Sequence, residues 1–79
     1  LANQNIEVTI YPNPSMGQFY VEATDIINKI VIYDLTGRTL SKYHPFNAKV
    51  PVSINESRGI YFIKVTGDKF EKVNKLIIK

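Results

Sequence analysis

The sequence has no cysteine, no tryptophan and a single histidine in 79 residues. Without cysteine there is no disulfide staple, thiolate zinc site, iron–sulfur cluster or cysteine nucleophile. His44 alone cannot supply the several ligands of a histidine metal centre. Nor can it serve a hydrolytic triad readily, because it stands before Pro45 in an expected turn and the chain holds no Gly-x-Ser-x-Gly elbow. The four glycines, Gly17, Gly37, Gly59 and Gly67, are isolated from one another, which excludes a glycine-rich phosphate loop. Asp25 and Asp34 could meet across a strand pair, but two carboxylates fall short of the roughly six to eight oxygens that calcium takes. No catalysis, metal or cofactor is expected.

Long apolar runs are also missing. No stretch approaches the roughly 18 residues of a membrane-spanning helix, and no basic-then-apolar leader opens the chain. It begins Leu1-Ala2-Asn3-Gln4 without an initiator methionine, so we expect a segment of a longer or processed protein. The length supports one domain, which at this size buries only about 60–65% of its unfolded surface. Its core must be thin.

Helix formers are scarce as well. Leucine and alanine together number 7, against 18 isoleucines and valines. Branched and aromatic side chains suit a pleated, half-buried surface and lose rotamer freedom in a helix. The chain is therefore expected to be all-β, and the pattern along it agrees. Ile6 to Ile10 alternates strictly, with Ile6, Val8 and Ile10 on one face. Tyr11-Pro12-Asn13-Pro14-Ser15-Met16-Gly17 interrupts it, since two prolines remove two ladder donors. Gln18 to Thr24 then puts Phe19, Val21 and Ala23 on one side.

Ile30 to Tyr33 is apolar on both faces and predicts a central strand covered on both sides. Asp34-Leu35-Thr36-Gly37-Arg38 is a tight turn, with Gly37 supplying positive φ, and Thr39 to His44 returns from it. Val50 to Ile54 contains Pro51, which marks an edge strand. Ile60 to Thr66 is the strongest strand pattern, and Gly67-Asp68 turns it into Lys69 to Lys79. In that last run Phe70, Leu76 and Ile78 share one parity and Val73 and Ile77 the other, which predicts a bulge near Val73-Asn74. Seven short runs at this spacing predict a seven-stranded sandwich of two antiparallel sheets or a small barrel.

Charge is unevenly placed. Residues 1–63 carry five basic and five acidic groups, while residues 64–79 carry five lysines against Asp68 and Glu71, so the whole net charge of +3 sits on the final hairpin. Nucleic-acid binding is not expected, because the only arginines, Arg38 and Arg58, lie in turns and no recognition helix exists. Lysines on an exposed edge strand block edge-to-edge pairing, and they can also form a docking surface.

Three separated stretches together resemble a known family. Tyr11-Pro12-Asn13-Pro14-Ser15-x-Gly17, the turn Asp34-Leu35-Thr36-Gly37-Arg38, and Gly59-Ile60-Tyr61 followed by a closing Lys75-Leu76-Ile77-Ile78-Lys79 resemble, in order and spacing, the C-terminal sorting domains of the type IX secretion system. The match runs over residues 6–79. It implies an immunoglobulin-like sandwich, fused behind an N-terminal cargo, that carries no activity of its own. The resemblance further implies passage through the periplasm and recognition by the translocon and an outer-membrane shuttle protein. Removal by a sortase-like peptidase would follow, with the cargo left at the cell surface or secreted.

The resemblance places recognition on Lys75 to Lys79, where a strand can pair with a partner edge. It places cleavage near or upstream of residues 1–5, which carry no strand pattern and look like linker. Pro12, Asn13, Pro14, Gly17, Asp34, Gly37, Gly59 and Tyr61 are the remaining motif positions. A dimer through the exposed terminal strand is a hazard of such an edge. The competing expectation is a carbohydrate-binding or adhesion β-sandwich, which would show exposed coplanar aromatics from among Tyr11, Tyr20, Tyr33, Tyr43 and Tyr61.

Overall fold

The computed structural model describes residues 5–79, and all seven elements are strands: β1 (Val8–Tyr11), β2 (Gln18–Ile27), β3 (Lys29–Tyr33), β4 (Thr39–Tyr43), β5 (Asn47–Ser53), β6 (Gly59–Thr66) and β7 (Glu71–Ile78). They form a three-stranded sheet in the order β1-β2-β5 and a four-stranded sheet in the order β4-β3-β6-β7. Every strand pairing is antiparallel. This is an immunoglobulin-like β-sandwich in which the fourth strand joins the edge of β3 and enlarges the second sheet.

The core forms where alternation turns one face of each strand inward. Phe19 and Val21 from β2 and Val50 and Val52 from β5 meet Ile30, Ile32, Ile63, Val65 and Leu76 from the opposite sheet. Pro51 sits exposed in β5, which is an edge strand as its proline requires. In the turn after β3, Gly37 takes φ +90° and Asp34 organises the chain around it. Gly17 takes φ +106°, and a Cβ there would stand 2.6 Å from the Ile54 carbonyl oxygen, a steric conflict only glycine avoids.

Two expectations about the strands are corrected. The pairing of β6 with β7 runs without a register shift from Thr66↔Glu71 to Gly59↔Ile78, so there is no bulge at Val73-Asn74. Val73 and Ile77 keep strict alternation and simply face outward, Ile77 opposite Ile60 and Val73 opposite Lys64. The apolar phase breaks because the outer face is itself partly apolar. Register shifts occur elsewhere, between Glu22 and Ile27 of β2 and between Ile32 and Tyr33 of β3.

Strand β3 is central as expected, but its second face has no covering layer. Val31 is 8% exposed and lies outside the main core cluster. Its cross-strand neighbours are Lys42 and Lys64, whose aliphatic stems shield it. Two strands are also longer than their patterns: β2 continues through Ile27, whose side chain returns to the core, and β5 begins at Asn47. Asp25 and Asp34 do not meet, since Asp25 lies in the three-stranded sheet and Asp34 follows β3 in the other.

Candidate functional site

Strand β7 is the edge of the four-stranded sheet, and half of its open side is closed by the segment between β1 and β2. In an antiparallel ladder alternate residues turn their backbone groups away from the partner strand. The Lys75 carbonyl, both outward groups of Ile77 and the Lys79 amide are taken. Asn13 Nδ2 donates to the Lys75 carbonyl at 2.9 Å, and the Ile77 amide donates to Asn13 Oδ1 at 3.0 Å. Ser15 N donates to the Ile77 carbonyl at 3.0 Å, and Lys79 N donates to the Ser15 carbonyl at 2.9 Å. The Asn13 carboxamide thus imitates one strand residue, presenting a donor and an acceptor at the ladder spacing.

Local sequence explains how the segment reaches this place. Pro12 and Pro14, each preceded by a cis peptide bond, lack the amide donor a ladder needs, and the chain leaves β1 here and crosses to the edge of the other sheet. Ser15 is buried, and its hydroxyl accepts the Gly17 amide at 3.3 Å. Gly17 leads into β2, and its carbonyl accepts the Ile54 amide at 2.8 Å. The bridge of Ser15 with Ile78 is parallel. A latch closes the seam between the two sheets.

The five tail residues divide by direction. Leu76 is fully buried and Ile78 is 4% exposed, so both belong to the core. Lys75 and Lys79 are exposed and Ile77 is half-buried on the outer face. Any partner strand pairing with residues 75–79 would have to displace Asn13 and Ser15 first. Only the first half of β7, Glu71 to Asn74, keeps an uncovered edge among the described residues.

The other motif positions are internal fasteners too. Asp34 Oδ1 accepts the Thr36 hydroxyl at 2.6 Å and the amides of Thr36 and Arg38 at 2.9 and 3.0 Å. The Thr36 hydroxyl is the main reason the Asp34 carboxyl titrates below its ordinary value, with help from the two amides and the Arg38 guanidinium 3.2 Å away. Tyr61, near the start of β6, is buried and donates its hydroxyl to the Ser57 carbonyl four residues upstream at 2.5 Å. That is the tyrosine corner of immunoglobulin-like sandwiches. Gly59, with φ +155°, leads the chain into it.

The aromatics do not form the flat platform a sugar-binding face would show. Tyr11 and Tyr20 stack 5.6 Å apart at 30° to each other, and Lys49 Nζ stands 4.9 Å from the Tyr20 ring centre. The Tyr11 hydroxyl donates to Glu22 Oε1 at 2.7 Å, a bond to a carboxylate that raises the phenol's pKa above its ordinary value. Tyr33 packs against Phe62 at 6.2 Å, and Tyr43 packs against the core. Among the described residues no three His, Asp or Glu side chains gather as metal ligands would.

The class is therefore a small immunoglobulin-like sandwich whose terminal strand is latched by its own proline-flanked loop. A family model described as the secretion system C-terminal sorting domain matches residues 9–79, and the chain belongs to that family, the C-terminal sorting domains of type IX secretion. It is not a family of enzymes. No curated protein matches the chain.

Proposed function

We propose that residues 6–79 are the detachable address of an exported cargo, joined to it through residues 1–5. The type IX translocon and an outer-membrane shuttle protein take the folded domain from the periplasm. A sortase-like peptidase then cuts at or upstream of residues 1–5, leaving the cargo at the cell surface or in the medium; residues 1–4 lie outside the described part of the structure. The observation carrying this reading is the family match over residues 9–79, joined to the latch that brings the opening signature onto the closing one. Recognition on Lys75 to Lys79 uses the outward side chains of Lys75, Ile77 and Lys79, because Leu76 and Ile78 are committed to the core.

The test is fractionation of a reporter bearing an ordinary signal peptide and these 79 residues at its C-terminus. It is expressed in a bacterium with a working type IX apparatus and in a twin lacking the translocon. Export in the first strain, with loss of about one domain's mass, and periplasmic retention in the second are expected. A folded fusion that stays in the periplasm of both strains sinks the reading. The tail is tested with Lys75→Glu and Lys79→Glu together, a surface change that leaves Leu76 and Ile78 in place; unaltered export of that variant removes the tail from recognition.

A further inference from the structure

We infer that the outer face of the four-stranded sheet is a docking surface for an acidic protein partner, and this rests on the sorting function proposed above. The argument begins with what the family motifs do. The Asn13 latch, the Asp34 turn and the Tyr61 corner all hold the sandwich together from within. They leave little for a receptor to read beyond the shape they build. The half of β7 nearest the tail is already paired, which closes that edge to strand addition.

The outer face has the anatomy of an interface. Its rows follow from register: Ile77 beside Ile60, then Lys75, Phe62 and Tyr33, then Val73, Lys64, Val31 and Lys42. Tyr33 and Phe62 stack at the centre, and Ile60 and Val73 are 43% and 54% exposed. Lys29, Lys42, Lys64 and Lys75 surround them, facing a single carboxylate, Glu71, which lies 4.0 Å from Lys64. An open depression of about 340 Å³ lies over Val31 among Lys29, Lys42 and Lys64. An apolar centre within a charged rim is how protein interfaces are built, and the lysine excess selects a partner rich in carboxylates.

The opposite sheet shows the reverse balance, with Glu7 and Glu22 facing outward against Lys49. The domain is therefore polarised, and the chain's positive excess points one way. A bilayer is the poorer occupant. Membrane-binding faces push apolar side chains outward beyond their charges. Here Val31 is nearly buried and Tyr33 and Phe62 are half-buried between lysines.

The reporter fusion tests this with four pairs of substitutions at exposed or half-buried positions. Lys29→Gln with Lys42→Gln removes two of the four rim lysines, and Ile60→Ser with Val73→Ser removes the exposed aliphatic side chains flanking Tyr33 and Phe62. Lys29→Arg with Lys42→Arg keeps the charge. Lys49→Gln with Gln18→Glu makes the same net charge change on the other sheet. The first two pairs should lower export by about fivefold or more, and the last two should export like the unaltered chain. If the unaltered chain is not exported, the sorting reading itself fails. If it is exported and the first two pairs match it, the docking face is wrong and the sorting reading stands. Thermal melts of each purified 79-residue variant separate lost docking from lost folding, and a melting variant is replaced by its single substitutions. Charge-dependent binding of the unaltered chain to phosphatidylglycerol vesicles, abolished by Lys29→Gln with Lys42→Gln, would assign the face to a membrane and overturn the proposal.

Discussion

Replacing Asn13 by alanine isolates the latch, because the substitution removes two side-chain hydrogen bonds and leaves the neighbouring backbone pairs intact. The bonds lost are those to the Lys75 carbonyl and from the Ile77 amide, at 2.9 and 3.0 Å. The pairs of Ser15 with Ile77 and Lys79 remain. A neutral hydrogen bond contributes about 0.5–1.5 kcal/mol net, and at an exposed edge water replaces part of it. Asn13→Ala should therefore destabilise the domain by about 1–2 kcal/mol. For a domain of this size that lowers the melting temperature by about 4–16 °C. The assay is urea unfolding of the 79-residue chain together with amide exchange at Ile77, whose protection should fall. Asn13→Asp provides the internal check: Oδ1 still accepts the Ile77 amide, while the Lys75 carbonyl loses its donor. Its Ile77 protection should exceed that of Asn13→Ala, while stability still drops because a carboxylate oxygen then faces the Lys75 carbonyl. Stability within about 0.5 kcal/mol of the unaltered chain for Asn13→Ala, with unchanged Ile77 exchange, would refute the latch.

Four further outcomes follow from the structure. Tyr61→Phe keeps the ring and removes the bond to the Ser57 carbonyl, so urea unfolding should show a loss of about 1–3 kcal/mol with little change in the core. Leu76→Ala should cost about 2–5 kcal/mol because Leu76 is fully buried, and deleting Lys75 to Lys79 removes Ile78 as well and should leave the domain unfolded by circular dichroism. The Asp34 carboxyl titrates below its ordinary value of about 3.9, so the folded state holds fewer protons there than the unfolded chain. Its contribution is present above the unfolded value and lost as pH falls through the folded one; acid melts of Asp34→Asn should lack that part of the decline.

The deletion matters for any export experiment. Loss of export after removing residues 75–79 reports unfolding as readily as lost recognition, since two of the five residues are core. Substitutions at Lys75, Ile77 and Lys79 are the informative ones.

Much of the fold was legible in the order of the residues. Alternation of Phe19, Val21 and Ala23 fixed which face of β2 is buried, and Pro51 placed β5 at an edge. Gly37 marked a turn that needs positive φ, and the structure gives it φ +90°. These are local constraints. Steric exclusion and the two-residue period of a strand act within a few residues, so a linear chain displays them.

Where strict alternation failed, the sequence misled. The outward Val73 and Ile77 look like a change of phase, yet they belong to a regular strand whose outer face accepts apolar side chains beside Ile60 and Lys64. The composition of that face depends on four strands lying side by side, which no single run displays. The two-strand reach of Asn13 is similar: its partners Lys75 and Ile77 are 62 and 64 residues away. The sequence by itself determined the number of strands, the buried faces of those that alternate cleanly and the turns between them, because those follow from backbone sterics and local patterning. Only the tertiary structure decided that the opening signature seals the closing strand and that Lys29, Lys42, Lys64 and Lys75 share one face, because both depend on which edges meet when the two sheets pack.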